Sequence, residues 1–473
     1  MKVLLTGATG YIGKRLLPYL VQNGHQVVCM VRDINRLHIP SSLASNVSVV
    51  EGDLLDQSTL VSLPSDIDGA YYLVHSMSSS KSYSEMEVRS ATNFRNALAQ
   101  TNVKQVIYLS GIVNSEVLSP HLQSRLNVEN ELSKGNYALT TLRAGIIIGS
   151  GSASFEIIRD LVEKLPVMLA PKWLNTRCQP IAVADVIQYL LGVLLNEKTY
   201  KQSFDIGGAD ELTYKEMLLA FAHIRGLKRR IYVIPIMTPR LSSYWLYFIT
   251  STSYTLASAL VDSMKIDVIC QHNCINDLLK IKVASYKEAI QASFSELKDE
   301  FIVSSWKDAM ISSRTYYSLN DLINIPTYGC FIDQRNKRVK NYKSSLQKIW
   351  SIGGSSGWFY ANALWRLRGF MDRLMGGVGL RRGRTNEKVI NTGDVIDFWR
   401  VLHADKANGR LLLYAEMKLP GEAWLEFHLQ EDSLVQTATF RPKGLLGRLY
   451  WYSVLPFHFI IFNGMLNQLT KGN

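Results

Sequence analysis

Lys2-Val3-Leu4-Leu5-Thr6-Gly7-Ala8-Thr9-Gly10-Tyr11-Ile12-Gly13 opens the chain with a short apolar run that passes directly into glycines. Lys2 to Thr6 has the composition of a buried strand, and Lys14 to Gln22 reads as a helix that stops near Gly24. Strand, glycine loop and helix in that order make a phosphate cradle. Gly7 permits the tight turn, Gly10 lets backbone N–H groups approach a pyrophosphate at the helix N-terminus, and Gly13 lets helix and strand pack closely. Thr9, Tyr11 and Ile12 lie in the same stretch and join the candidate nucleotide contacts.

Working outward, the alternation repeats. Gln26–Val31, Val47–Val50, Gly69–Val74, Gln105–Leu109 and Ala138–Leu142 read as buried strands, separated by helical segments such as Tyr83–Gln100. This predicts a Rossmann-type, doubly wound parallel α/β sheet, whose ligand lies beyond the C-terminal strand ends. The residues to read there are Arg32, Asp53, His75, Ser110 and Arg143. In Met30-Val31-Arg32-Asp33 a guanidinium precedes the carboxylate. Arg32 suits a 2′-phosphate through its planar fork, which favours NADP(H) over NAD(H). The alternative is a solvated Arg32 with Asp33 on the ribose. Asp53 either accepts from the adenine amino group, with Leu54 as an amide donor, or caps the helical run starting at Gln57.

The chain has 473 residues, 47% hydrophobic and 19% charged. At roughly 150 residues per domain that is two or three domains, and it excludes a disordered or collagen-like chain. Five scattered cysteines and a start that runs straight into the first strand point to a reducing cytoplasm. The net charge of +12 is uneven: residues 1–330 hold 31 Lys/Arg against 29 Asp/Glu, and residues 331–473 hold 21 against 11. A C-terminal part at +10 faces an anionic partner of some kind.

The Thr6-to-Gly13 run, Gly52-Asp53-Leu54, Leu109-Ser110-Gly111 and Arg143-Ala144-Gly145 resemble the short-chain dehydrogenase/reductase superfamily. The closer similarity is to its atypical branch, which includes NmrA-like redox sensors and the nucleotide-binding accessory subunit of respiratory complex I. The resemblance covers residues 1 to about 290 and implies NAD(P) binding. It also implies a substrate-orienting serine at Ser110 and a Tyr-x-x-x-Lys pair on the following helix. In this chain that register falls on His121 and Arg125. Arg125 can hold ribose hydroxyls but does not exchange protons near neutrality. His121 is either a general acid or, after Pro120, merely part of a helix start. Ser110, His121 and Arg125 are therefore the catalytic candidates, and His75, Ser110 and Arg125 join the cofactor contacts.

Farther along, Ser152-Ala153-Ser154-Phe155-Glu156 suggests a capping box opening a helix to Leu165, and Ala182–Leu195 reads as another helix. Arg177, in Trp173–Ile181, either reaches a substrate or pairs with a surface acid such as Asp160. The apolar stretch between Arg240 and Asp262 is interrupted by eight Ser/Thr and reads as buried helices. Cys270-Gln271-His272-Asn273-Cys274 lacks the second ligand pair of a structural zinc site, so no metal is expected.

Beyond a linker at 296–325, residues 326–473 form a second domain. Arg335, Lys337 and Val339 suit an exposed strand or linker, and stacking aromatics are too sparse there for nucleic acid. Trp350–Trp358 reads as a glycine-rich bend between helices. Val395–Val401, Arg410–Met417, Ala423–Leu429 and Val435–Phe440 predict an antiparallel meander, and Gly444–Leu469 a long terminal helix, docked rather than membrane-spanning. Together with Trp358-Phe359-Tyr360, Trp365–Gly369, Gly383-Arg384 and Pro420–Trp424, this is similar to an α+β helix-grip (START-like) domain. That similarity implies an antiparallel sheet around the helix with an apolar cavity. The sequence thus predicts an NADP(H)-dependent oxidoreductase over residues 1–295 acting on a bulky apolar carbonyl or quinone-like molecule. A non-catalytic NAD(P)-binding sensor or assembly factor, and a peripheral lipid binder touching anionic membrane, are the alternatives.

Overall fold

The computed structural model describes residues 1–34, 43–75, 83–113, 118–234, 261–271, 275–298, 330–375 and 389–471, apart from Gly151, Glu431 and Lys443, with Leu37, Ile39, Ser258, Gly377 and Gly379 between these stretches. The predicted helices between Arg240 and Asp262, most of the 296–325 linker, the His272–Cys274 end of the cysteine cluster and Gly383-Arg384 lie outside the described residues. The chain divides into two compact units, Met1–Thr315 and Tyr316–Asn473.

In the first unit, β1 (Lys2–Thr6), β2 (Gln26–Val31), β3 (Val47–Glu51), β4 (Gly69–Tyr72), β5 (Gln105–Gly111), β6 (Ala138–Ala144) and β7 (Gln202–Ile206) form a parallel sheet in the order β7-β6-β5-β4-β1-β2-β3. The order reverses between β1 and β4, so the crevice for a ligand opens at their C-terminal ends. Side chains of β1 alternate between two cores. Val3 and Leu5 pack with Leu16, Leu17 and Leu20 of α1 (Tyr11–Gln22) and with α5 (Val183–Gly192). Leu4 faces Phe94 and Leu98 of α2 (Tyr83–Leu98). Burial on both faces is why these strands read as continuous apolar runs.

Helix α3 (Pro120–Leu132) follows β5, with Ser119 as its cap and Pro120 in its first turn. A side lobe is built from α4 (Ala153–Lys164), α6 (Tyr214–Ile224) and α7 (Tyr286–Lys298), whose Phe155, Phe221 and Phe294 rings meet at 5.5–6.0 Å. Ser152 caps α4 by accepting from the Phe155 N–H at 3.2 Å. The expected capping box does not form, because Glu156 lies one residue past the third helical position and pairs with Arg159 instead. The box is found at Thr213 and Glu216, ahead of α6.

In the second unit, β8 (Phe331–Arg338), β9 (Val395–Ile396), β10 (Trp399–Asp405), β11 (Arg410–Ala415), β12 (Gly421–Leu429) and β13 (Ser433–Pro442) form an antiparallel sheet in the order β8-β13-β12-β11-β10-β9. Helices α8 (Tyr342–Ile349), α9 (Asn362–Leu374) and the terminal α10 (Gly444–Leu469) complete it, with α10 on β13 and β8. The predicted strand Val395–Val401 is in fact two strands. Asp397 adopts φ +55 and its carboxylate accepts from the Trp358 indole at 2.8 Å, so the chain reverses and Ile396 pairs with Trp399. The stretch around Arg335 is the edge strand β8, where Arg335 is bound by Asp333 at 2.9 Å.

Candidate functional site

The glycine loop and the end of β4 meet at the crevice. Thr6 Oγ1 donates to the Tyr71 carbonyl at 2.8 Å and accepts the Leu73 N–H at 3.3 Å. Gly7 sits at φ +72, and a Cβ there would lie 2.6 Å from the Leu73 carbonyl oxygen; one at Gly13 would lie 2.2 Å from the Gly7 carbonyl. Both positions exclude any side chain. Among the described residues, a Cβ at Gly10 would meet the Gly7 oxygen alone, at 3.1 Å. Gly10 begins α1, and no side chain caps that helix. An open, side-chain-free helix N-terminus fits a pyrophosphate, and the backbone from Gly7 to Gly13 would hold it. Within this stretch, the Tyr11 side chain is structural: it stacks under the Arg15 guanidinium at 4.9 Å and lies against Gly149. Ile12 packs against the core.

Past β2, Arg32 is exposed whereas Asp33 is 4% exposed. Past β3, the Asp53 carboxylate accepts from the Leu55 N–H at 3.0 Å. The cap of the Gln57–Ser62 turn is Asp56, not Asp53, since Asp56 accepts the Ser58 N–H at 3.1 Å. Leu54 is a core residue whose carbonyl accepts from Asn93 at 2.8 Å.

On the other side of the crevice the structure brings His75, Ser110, His121 and Arg125 together. His75 follows β4, and its Nδ1 pairs with Glu87 Oε1 of α2 at 2.6 Å. Ser124 donates to the other oxygen of Glu87. The His75 and His121 rings lie 4.7 Å apart. One turn along α3, Arg125 runs beside Gly111, whose Cβ would sit 3.5 Å from Arg125 Cδ. His75 Nε2 and Arg125 Nε are buried atoms with no hydrogen-bond partner among the described residues. Ser110 is fully buried beside the Tyr108 phenol, which burial pushes up to about 12 while Arg125 and Ser110 pull it back.

Burial, and then the Arg125 charge, hold both imidazoles below their ordinary range; for His75 the bond to Glu87 opposes this, while for His121 the depression is large. Near neutrality both rings are uncharged and Arg125 carries the positive charge. Burial thus disfavours a charged imidazole at His121. It remains a neutral hydrogen-bonding group on a helix that does start at Pro120.

Arg143 sits beside Ser110 in the β5–β6 register with its guanidinium turned to Glu129 of α3, and Arg177 lies elsewhere. Arg143 is bound bidentately by Glu129, at 2.7 and 3.1 Å. Arg177 is 57% exposed and paired at 3.2 Å with a surface acid, Asp267. Sequence reasoning missed Glu87, Ser124 and Tyr108. The signal for Glu87 was its spacing: it shares a helix face with Ala91, Phe94 and Leu98, all of which are buried.

With this geometry established, comparison with known proteins places both units. Residues 329–465 match a family described as protein of unknown function DUF2867. The Photosystem II assembly factor Ycf39 of Trieres chinensis is 21% identical over 248 residues, 51% of this chain and 75% of that protein. The 2-alkyl-3-oxoalkanoate reductase of Stenotrophomonas maltophilia is 28% identical over 113 residues, only 23% of this chain and 33% of the enzyme. Among solved structures, a nucleoside-diphosphate-sugar epimerase from Staphylococcus aureus superposes with a TM-score of 0.50 at 16% identity, covering 62% of this chain and all of that one. An epimerase from Methanothermobacter thermautotrophicus gives 0.50 at 13% identity, covering 63% and 93%. These two share the fold. Residues 1–240 match the NmrA-like family, and the chain belongs to that family, with its NAD(P)-binding fold in the first unit.

Proposed function

We propose that the protein binds NADP(H) and reduces a bulky apolar carbonyl or quinone-like compound. The observation that carries this reading is the cluster of Ser110, His75, His121 and Arg125 at the strand ends flanking the glycine cradle. A nicotinamide bound there supplies the hydride. Arg125 stabilises negative charge developing on the acceptor oxygen, and Ser110 and the neutral imidazoles orient that oxygen by hydrogen bonds. A site with a fixed positive charge and, among its described histidines, no imidazolium at neutral pH favours acceptors whose reduced form is a stabilised oxyanion. Quinones meet that condition better than simple ketones. The exposed guanidinium of Arg32, beside an enclosed Asp33, supports a preference for the 2′-phosphate. Four cysteines, Cys29, Cys178, Cys270 and Cys330, are free thiols, which supports a reducing, cytoplasmic setting.

Titration with NADPH and NADH, followed by nicotinamide fluorescence, tests the reading. NADPH binds more tightly than NADH, Gly10→Val abolishes binding of both, and Arg32→Ala removes roughly tenfold or more of the preference for NADPH, the weight of a lost charge-assisted pair. Ser110→Ala retains nucleotide affinity but loses turnover on quinones. Unchanged turnover in Ser110→Ala removes that residue from the site.

A second reading is a non-catalytic NAD(P)-responsive assembly factor or sensor, favoured by the similarity to Ycf39 and by His121 and Arg125 standing at the Tyr-x-x-x-Lys register. Equal affinity for NADP⁺ and NADPH, with no turnover across carbonyls and quinones, selects it.

A further inference from the structure

We propose that the second unit docks on the surface of an anionic lipid bilayer through the outward faces of α9 and of residues 446–460 of α10. The inference stands apart from the nucleotide site. On α9, Leu367, Phe370, Met371 and Leu374 are 48–61% exposed and recur every three to four residues, forming one apolar stripe. The opposite side of the same helix buries Trp365, Gly369, Asp372 and Arg373. On α10, Leu446, Leu449, Tyr452, Phe457, Phe459 and Ile460 are 52–74% exposed. An isolated exposed leucine needs no explanation, but two helices with apolar stripes facing out do.

The two helices meet at one loop. The Lys418 N–H donates to Asp372 of α9 at 2.6 Å and its carbonyl accepts from Arg368 at 3.3 Å, while Gly447 of α10 packs so closely on the Pro420 carbonyl that a Cβ would lie 2.4 Å from its oxygen.

Charge selects the occupant. Neither Asp nor Glu occurs from Lys443 to the end of the chain, and Asp372, the single acid of α9, is 0% exposed with its oxygens bound by the Gly379 and Lys418 N–H groups. The exposed charged residues of these helices, Arg366 and Arg448, are cations. An apolar face with Phe and Tyr, bordered by arginine and carrying no exposed carboxylate on either helix, complements lipid headgroups of negative charge.

Helix α10 is also long and apolar enough to cross a bilayer, over Leu446–Leu469. Its second half argues for lying on the surface instead. Phe462, Met465, Leu466 and Leu469 are core residues of the unit, and Trp451 stacks between Phe331 and Phe440 at 5.4 and 5.8 Å. The Arg335 guanidinium lies 5.2 Å over the Phe459 ring and bonds the Phe459 carbonyl at 3.1 Å. Insertion across the membrane would strip these contacts from the sheet, whereas surface docking uses the half of the helix that the unit leaves uncovered.

The test is sedimentation of the full-length protein with vesicles of phosphatidylcholine alone or of phosphatidylcholine with phosphatidylserine, at low and high salt. The protein pellets with the anionic vesicles at low salt, and salt or the paired change Arg366→Glu and Arg448→Glu releases it. Phe370→Glu with Leu449→Glu weakens partitioning by at least about tenfold while the near-ultraviolet circular dichroism of the buried tryptophans is retained. Should that double variant misfold, hydrogen exchange of the wild-type chain carries the test, with vesicle-dependent protection expected at residues 367–375 and 446–460. No pelleting, or pelleting without protection there, overturns the proposal. So does a dimer in solution that the same substitutions dissociate, because a second copy then covers the face.

Discussion

Glu87 precedes Ala91, Phe94 and Leu98 at helical spacing, so its carboxylate is carried into the boundary between α2, α3 and the strand ends, where it meets His75 and Ser124. Its effect on His75 is upward, against burial and Arg125. Glu87→Gln therefore lowers the His75 titration midpoint still further, read from the imidazole proton resonances against pH; a midpoint that rises or stays put refutes the pairing. The depressed histidines also fix a sign. A histidine whose folded pKa lies below its unfolded value of about 6.5 contributes stability above that pH and loses it as pH falls toward the folded value. The resistance of the wild type to denaturant therefore falls from pH 7 to pH 5, and His121→Gln flattens that slope. At this scale the cradle was legible, because Gly7 and Gly13 are required by backbone contacts that any dinucleotide loop must make. The partners of His75 were not, since a helix of one sequence does not announce which strand end its polar residue will face.

Strands and helices of the first unit follow the sequence closely because each central strand is covered on both faces, and an unbroken apolar run has few other places to go. The reversal at Asp397 was not legible: Asp-Phe is not a turn pair by composition, and its conformation is held by the Trp358 indole, 39 residues earlier in the chain. Asp397→Ala leaves that buried indole N–H without its acceptor and places alanine at φ +55. The expected cost is about 2–4 kcal/mol of stability, from an unsatisfied buried donor together with left-handed strain, measured as a shift in denaturant midpoint. Little change would mean the turn is held by the ladder alone. The capping box fails on spacing: with Ser152 at the cap, the third helical position is Phe155 and Glu156 falls one residue beyond it.

Each unit of the molecule has its own cores, with Val3, Leu5 and Tyr71 in one and Trp358, Leu413 and Phe427 in another. Calorimetry of the full chain should accordingly resolve two transitions. NADPH raises the midpoint of one and leaves the other where it was, because a ligand stabilises only the unit that binds it. A single transition displaced as a whole by NADPH would show that the units unfold together. The division into a parallel α/β unit and an antiparallel unit was readable from periodicity and from the shift in charge near residue 330. The exposed apolar face of α10 was not, because sequence shows that a helix is apolar all round but not which half its own sheet will leave bare.

The parallel register between β1 and β4 runs to the Leu5–Tyr71 pair, and beyond it the hydroxyl of Thr6 still links the two strands. That hydroxyl acts as a clasp at the mouth of the crevice. Bonding the Tyr71 carbonyl and the Leu73 N–H at once, it carries the seam between the two strands one step past the ladder, up to the glycine loop.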